Sequence, residues 1–429
     1  MHYPFSRTLL AAFCLLDLAF ITSASRAGGD PIDTSNLSSS DGKTDLSDGK
    51  APILSDTGNF SRFPFRVTVA VRGGYDDNVY TTTFNKQGSG FINSSIGLSY
   101  DFGSPRTQIS LQAGGGLTYY FDRPGQEDPD YNAYLALILK HKFSPRLILD
   151  ANVYGTYQVE PDFSLNVGTI RRSGNFFYTL DKFTLTYLWT PRFSTATSYT
   201  FGATKYDNSA IGFYEDRIEN TFGNEFRFLL TPTTTLVGEY RAEFINYDKI
   251  KRDSLTHFAL AGFDHTFSPS FNVSFRGGVE FRSYDDNNNN INGGDQTSPY
   301  FEATANYAVR KDTTVTWTNR YGIDEPDVPS NPSRTSYRTG LIVTHNFTPR
   351  ISSRLATFYQ HDSYDGINNI MVVSPAFDEN VLDIALSLRY AATRYLGFEI
   401  GYSHTEIFSD IVLREYDRNR IYAGVDFTF

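Results

Sequence analysis

Residues 417–429, DRNRIYAGVDFTF, decide the fold class of this chain. The odd positions from Ile421 to Phe429 are all apolar, whereas the even positions include Arg420 and Asp426. This alternation is typical of a β-strand with one apolar and one polar face. A last strand leaves an open sheet edge, which a transmembrane barrel removes by pairing that strand with its first. The stretch therefore favours a membrane-spanning barrel over its alternative, the amphipathic edge strand of a soluble sheet.

The aromatic residues of this strand indicate how the barrel would reach a membrane. A terminal aromatic-x-aromatic pattern is similar to the C-terminal insertion signal of bacterial outer-membrane barrels, and we assign Tyr422, Phe427 and Phe429 to that signal. The expected partners are periplasmic chaperones, the barrel-assembly machinery, and the lipid and lipopolysaccharide of the outer membrane.

The chain divides into three predicted parts. Residues 1–27 resemble a secretory signal peptide, with an apolar core followed by small residues. Residues 28–62 are rich in Ser, Asp and Gly, and we expect a disordered periplasmic lead-in. Residues 63–429 are the predicted barrel. The single cysteine, Cys14, lies in the signal peptide, so no disulfide or cysteine-ligated metal is expected in the mature protein.

Short polar turns recur roughly every forty residues along the predicted barrel. Each is followed by a strand, a longer loop rich in Gly, Asn and Asp, and a returning strand. Loops of this kind lie at 123–131, 285–295 and 323–333. The eight turns lie at 102–106, 143–146, 190–192, 230–233, 267–270, 309–312, 347–350 and 392–394.

The eight turns fix the predicted strand number. They join sixteen strands, and one strand before and one after the set bring the total to eighteen. The prediction is an all-β fold, a transmembrane antiparallel β-barrel of about eighteen strands, with short periplasmic turns and long extracellular loops. A soluble propeller would instead need four short strands in each repeat.

The polar faces of the predicted strands supply the candidate pore lining. They carry charges of both signs, which would either sort solutes in a hydrated channel or pair across neighbouring strands. We find no plug domain in the sequence, although a long loop folded inward stays open as a possibility. The candidates are Arg66, Arg72, Glu225, Arg227, Glu239, Arg241, Glu243, Arg276, Glu280, Glu302, Arg338, Arg354, Asp383, Arg389 and Glu399.

Aromatic residues also fall on the predicted inner faces. Tyr134, Phe358 and Tyr422 are consistent with a carbohydrate-stacking track and equally with space filling. Catalysis is not predicted, because no G-x-S-x-G motif occurs and the three histidines before turns belong to separate repeats. The oxygen-rich loops lack EF-hand spacing, and a net charge of −10 disfavours nucleic acid. We therefore expect no enzyme activity, cofactor, metal or nucleic-acid partner.

Two segments carry a resemblance to a known family. Residues 66–80, RVTVAVRGGYDDNVY, and residues 183–208, FTLTYLWTPRFSTATSYTFGATKYDN, resemble the putative beta-barrel porin 2 family. The resemblance covers roughly residues 63–429 and implies an outer-membrane barrel of a diderm (Gram-negative) bacterium, of a kind linked in some members to exopolysaccharide production. It supplies no catalytic residues.

The expected function is a porin-like channel that passes hydrophilic solutes or an exopolysaccharide through a hydrated lumen. One alternative is a structural or adhesive barrel with a closed lumen and partner-binding loops, and a less favoured one is a barrel-embedded hydrolase. The transported solute, the oligomeric state and a partnership with polysaccharide export components stay open.

Overall fold

The computed structural model describes residues 65–284, 294–368 and 373–429. The predicted signal peptide and lead-in, residues 1–62, lie outside the described residues. So does most of the loop predicted at 285–295.

Eighteen strands of the described residues form one closed antiparallel ring. The last strand returns to the first, with Val425 opposite Val71, so the sheet has no open edge. This confirms the predicted eighteen-stranded all-β barrel. The strands of the ring are β1 (Phe65–Asp76), β2 (Ser89–Gly103), β3 (Thr107–Tyr120), β4 (Asp130–Ser144), β5 (Leu147–Gln158), β6 (Phe176–Thr190), β7 (Phe193–Tyr206), β8 (Arg217–Thr231), β9 (Thr234–Tyr247), β10 (Ser254–Ser268), β11 (Phe271–Tyr284), β12 (Gln296–Arg310), β13 (Thr313–Asp324), β14 (Arg334–Thr348), β15 (Ile351–Tyr364), β18 (Phe377–Ala391), β19 (Leu396–Ser409) and β20 (Tyr416–Thr428).

Small elements decorate the loops between these strands. Strands β16 (Ile367–Asn368) and β17 (Val373–Ser374) form a short hairpin after β15, and helix α1 (Ser209–Glu215) lies between β7 and β8. A 3-10 turn, Val412–Arg414, precedes β20. In the described ranges, no helix combines the length and the apolar composition needed to cross a bilayer.

Short and long connections alternate, and the eight short ones lie where the sequence predicts them. In two of the proline turns, the hydroxyls of Thr190 and Thr348 accept hydrogen bonds from the backbone N–H of Phe193 and Ile351, each at 3.0 Å. This bond closes the turn within four residues, because the hydroxyl takes the place of a backbone acceptor. All the short turns lie on one rim, which we call the turn side; the long connections lie on the other, the loop side.

The two faces of the sheet differ as the alternation predicts. On β1, Val71 is 41% exposed on the outer face, whereas Arg72 is 4% exposed on the inner face. Large aromatic side chains, including Phe102, Phe143 and Phe347, are exposed on the outside next to the turns. The outer surface is therefore apolar with an aromatic border, as a bilayer-spanning barrel requires.

The residues assigned to the insertion signal divide between the two faces. Phe427 and Phe429 are exposed on the outer face, and the backbone of Phe429 pairs with Val67 of the first strand at 2.8 and 3.1 Å. Tyr422 instead lies inside the barrel, where its hydroxyl donates to Glu399 at 3.0 Å. The role of these residues in insertion stays a prediction.

Aromatic rings on the inner face lie over glycines of neighbouring strands. A methyl group added to Gly340 would come within 2.8 Å of the Phe358 ring, and one added to Gly401 within 2.2 Å of the Tyr422 ring. Glycine is needed at these positions because only a residue without Cβ lets the ring approach so closely. The rings are thereby held against the wall of the barrel.

Candidate functional site

The connection between β5 and β6, residues 159–175, folds into the barrel instead of standing on its rim. Its tip is closed by two backbone hydrogen bonds between Asp162 and Val167, at 2.8 and 3.0 Å. Gly168 follows with φ +91°, a conformation that favours glycine. Val167 and Ile170 are each only 6% exposed. We call this segment the crossing loop.

Asn166 carries the crossing loop to the opposite wall. Its side chain donates to Asp324 of β13 at 3.0 Å and accepts from Arg334 of β14 at 2.9 Å. It also accepts from Gln360 of β15 at 3.1 Å. In a ring of eighteen strands, β14 is nine strands from β5 in either direction. The crossing loop therefore spans the full width of the lumen.

Ile170 supplies an apolar anchor on a third part of the wall. It packs with Val381 of β18, Ile407 of β19 and Tyr416 of β20. The Tyr416 hydroxyl donates to the carbonyl of Ile170 at 2.7 Å. Since this contact and that of Asn166 lie on different strands, the loop is fixed at several points around the ring.

Charged groups hold the base of the crossing loop. Glu160 pairs with Arg418 of β20 at 2.7 Å, and Arg418 also binds the fully buried Asp76 of β1 at 2.6 Å. Burial raises the pKa of Glu160, but Arg418, Arg172 and Arg420 together lower it below its usual range. Glu160 is therefore ionised at neutral pH and below, and the tether persists in mildly acidic solution.

A cavity of about 260 Å³ lies in the lumen beside the crossing loop. Phe163, Ser164 and Leu165 of the loop line one side, and the walls of β6 to β18 line the rest. The wall contributes Lys182 and three arginines together with three glutamates, so both signs of charge face the enclosed space. This cavity is the lumen where the loop narrows it.

All fifteen candidate lining residues lie on strands of the ring, on the inward side of the alternation. The structure brings six of them into one network with Asp264. Within it, Arg241 binds Glu302 at 2.6 Å and Arg276 binds Asp264 at 2.9 Å. The six are Glu225, Arg227, Glu239, Arg241, Arg276 and Glu302.

The other candidates are distributed around the wall. Arg72 binds Glu399 at 2.8 Å, and Arg389 binds Asp426 at 2.6 Å. Asp383 accepts a hydrogen bond from Thr405, and Glu280 accepts one from the backbone N–H of Ile323. Glu243 lies 3.9 Å from Arg282, and Arg338 lies 3.8 Å from Asp324. Arg354 also has an interaction partner, and Arg66 lies near the turn side. Ion pairing thus occurs for many of these residues, but mostly within one strand or between strands two or three apart in the ring. Pairing across directly neighbouring strands is found for Arg276 with Asp264 and, at 3.8 Å, for Arg338 with Asp324. The effect of these residues on solutes stays a prediction.

The crossing loop was not among the candidate functional residues predicted from sequence, all of which lie on strands. Strand alternation gives no information about loops, so it does not identify Glu160 and Arg172. Arg418 lies on β20, and its importance comes from its ion pair with Glu160 of the loop. A signal was present in the composition. Residues 159–175 hold five apolar side chains in a long connection, whereas the loop at 123–131 is almost entirely polar.

The three histidines before the turns do not meet. His141, His265 and His345 each hydrogen-bond a threonine of the adjacent strand at 2.8 Å. Each ring also packs edge-on against the phenylalanine two residues later. These are three copies of one contact at separate places on the outer rim. Within the described part of the chain, no three His, Cys, Asp or Glu side chains are grouped as metal ligands.

The helix between β7 and β8 carries a carboxyl group that titrates near neutral pH. Burial raises the pKa of Glu215 to about 7, against the opposing effect of Arg217 at 3.5 Å. One of its carboxyl oxygens has no hydrogen-bond partner among the described residues. The folded chain thus binds this proton more tightly than the unfolded chain does, so its stabilising effect is present at low pH and is lost as pH rises through 7.

We expect amide exchange in residues 207–216 to become faster as pH rises from about 4.5 to 7, after correction for intrinsic rates, and to level off at higher pH. The increase should approach about tenfold for each pH unit within that range, because there the open state has lost the proton that the folded state keeps. The substitution E215Q should abolish this pH dependence, whereas E127Q, at an exposed loop tip, should retain it. Equal profiles for E215Q and the parent chain would contradict the assignment.

Comparison with known proteins gives one family match and several structural similarities. The family model described as putative beta-barrel porin 2 matches residues 56–429. No curated protein matches this sequence. Among solved structures, OccAB4 of Acinetobacter baumannii is 11% identical with a TM-score of 0.40, over 86% of this chain and 99% of that one. The outer membrane protein opdK of Pseudomonas aeruginosa is 11% identical with a TM-score of 0.42, over 85% and 99%. Similarities at this level say nothing about the solute.

Proposed function

This chain belongs to the putative beta-barrel porin 2 family, and on that basis we propose that it is a constricted channel for small hydrophilic solutes. The family is one of porin-like outer-membrane barrels, and the barrel lies in the outer membrane. An eighteen-stranded ring is wide enough to hold water. The crossing loop divides that space, so the passage is set by the loop and the wall beside it.

This proposal rests mainly on the hydrogen bonds of Asn166. They join the crossing loop, which begins after β5, to β13, β14 and β15 on the opposite wall of the barrel. A loop fixed at both sides of the lumen limits the size of a solute, and the charges on the wall bias its sign. This arrangement favours single small solutes over an exopolysaccharide chain, because a continuous polymer would have to displace the loop. It also requires no catalysis.

We also propose the route to the membrane. Residues 1–27 would be removed on export, and Tyr422, Phe427 and Phe429 would be recognised by the barrel-assembly machinery with the help of periplasmic chaperones. Polysaccharide export components are not needed for this function. One observation also fits the structural or adhesive alternative. The crossing loop would close the lumen completely if it left no water-filled path between itself and the wall.

Planar-bilayer recording of the refolded full-length protein tests the proposal. We expect small, steady single-channel currents that neutral polymers reduce only below a sharp size limit, because the loop narrows the lumen. Heat-modifiable migration of the same sample shows that the barrel is folded. A folded barrel without current would support the closed alternative, and large currents that admit polymers of every size would contradict the constriction.

A further inference from the structure

Two arginines face each other on the lumen wall beside the crossing loop. Arg320 of β13 lies directly opposite Arg338 of β14 in the strand register. Like charges directly opposite on neighbouring strands destabilise a sheet unless an anion compensates them. Among the described residues, the carboxylate within 4 Å of either guanidinium is Asp324, and both arginines share it.

Asp324 does not satisfy Arg338. It accepts a hydrogen bond from Arg320 and another from Asn166 at 3.0 Å, while the Nε of Arg338 is 3.8 Å away. Within the described ranges, that buried Nε has no hydrogen-bond partner. Leaving a buried charged donor unpaired is costly, so such a group in a cavity calls for an explanation.

An acceptor without a donor lies on the next strand. Gln360 of β15 is opposite Arg338 in register and 4% exposed. Its amide nitrogen donates to Asn166 and Asp362, but its oxygen has no partner in the described part of the chain. A ligand here would thus meet a charged donor and a neutral acceptor side by side.

Aromatic rings lie on both sides of these polar groups. A methyl group on Gly322 would come within 2.8 Å of the Tyr300 ring, and Phe358 lies likewise over Gly340. Both rings line the same cavity as Arg320, Arg338 and Gln360, and Phe163 of the crossing loop lines it too. Apolar ring faces beside a few polar groups are the usual composition of a small-molecule site.

We propose that Arg320 and Arg338 bind the carboxylate of an acidic sugar, a uronic acid, as it passes the crossing loop. This rests on the proposed channel function and names the class of solute. A guanidinium and a carboxylate form paired, charge-assisted hydrogen bonds. A sugar hydroxyl donates to the oxygen of Gln360, and a C–H face of the sugar ring packs on Phe358, whereas the buried Tyr300 ring supports the guanidinium of Arg320 from below at 5.6 Å. The cavity of about 260 Å³ has room for one sugar unit.

Calorimetric titration of the full-length barrel in detergent tests this site. The titrants are D-glucuronate, D-glucose and acetate. We expect glucuronate to bind more tightly than either of the others, because only glucuronate has both the carboxylate and the ring. R338Q should weaken glucuronate binding by about tenfold or more, since a hydrogen bond to a charged group is lost. R350Q, which removes an exposed arginine in the turn after β14, should bind like the parent chain.

The outcomes separate this inference from the channel itself. Equal binding of glucuronate and glucose, or unchanged binding by R338Q, would overturn the carboxylate site. Acetate binding as tight as glucuronate binding would overturn the sugar assignment. If R338Q does not migrate as a folded barrel, R338K keeps the charge, loses the paired geometry and should also bind more weakly. A barrel that binds glucuronate but conducts no ions would retain the site and contradict the channel, whereas a conducting barrel that binds none would contradict only the site.

Discussion

Replacing residues 161–173 with a short glycine-serine linker should raise the single-channel conductance by roughly threefold or more, because an uncrossed ring of eighteen strands leaves a wide water-filled lumen. The replaced segment contains Asn166 and Ile170, whose contacts reach β13 to β15 and β18 to β20. Bilayer recording of the variant beside the parent chain measures the change. The size limit for neutral polymers should increase in the same recordings.

Two further variants give this experiment its controls. Replacing the exposed loop tip at residues 124–128 with the same linker removes a segment that lies on the rim, so the conductance should not change. The double substitution N166A/I170S keeps the length of the crossing loop and removes its two distant anchors. It should give fluctuating currents between the parent and deletion levels. A deletion variant that folds and conducts like the parent chain would show that the loop does not limit the passage.

The strand ring was predictable from sequence because both of its signals are local. Alternation along β20 sets the two faces, and turns such as the one closed by Thr190 set the strand ends. Each follows from a few neighbouring residues and from the absence of hydrogen-bonding partners in lipid. The order of the ring then follows, since each short turn joins neighbouring antiparallel strands.

The site was predictable only in part, because it depends on contacts between distant residues. Alternation predicts that Arg338 lies on the inner face. It does not predict that Arg338 lies opposite Arg320, or that the two arginines share the carboxylate of Asp324. Nothing in the sequence around Asn166 indicates that it bonds to residues 158 to 194 positions later. A loop that enters the lumen is specified by shape and charge across the barrel, and these exist only once the ring has closed.

The substitution R418A should loosen the crossing loop and lower the stability of the barrel. Arg418 binds Asp76 at 2.6 Å and Glu160 at 2.7 Å, and it joins the loop to the seam between the first and last strands. Its removal leaves Asp76, which is fully buried, with Arg420 at 3.4 Å as its remaining ion-pair partner among the described residues, beside hydrogen bonds from the Tyr120 hydroxyl at 3.2 Å and the Asn78 backbone at 3.1 Å. Breaking a buried ion pair from one side costs on the order of 3–5 kcal/mol. The thermal midpoint of heat-modifiable migration should therefore fall, and the currents should fluctuate.

A double-mutant cycle distinguishes the tether from a general loss of stability. E160Q removes the loop partner of Arg418 but leaves Asp76 paired, so it should loosen the loop with a smaller loss of stability. If Arg418 acts on the loop through Glu160, R418A/E160Q should fluctuate only slightly more than R418A, because the second change removes only the longer contacts of Glu160 with Arg172 at 3.6 Å and Arg420 at 3.8 Å. Additive effects on the fluctuations would mean that Arg418 holds the loop by another route, through the position of Asp76 and the seam. The two residues are thus separable by their effects: Asp76 governs the closure of the ring and Glu160 the position of the loop.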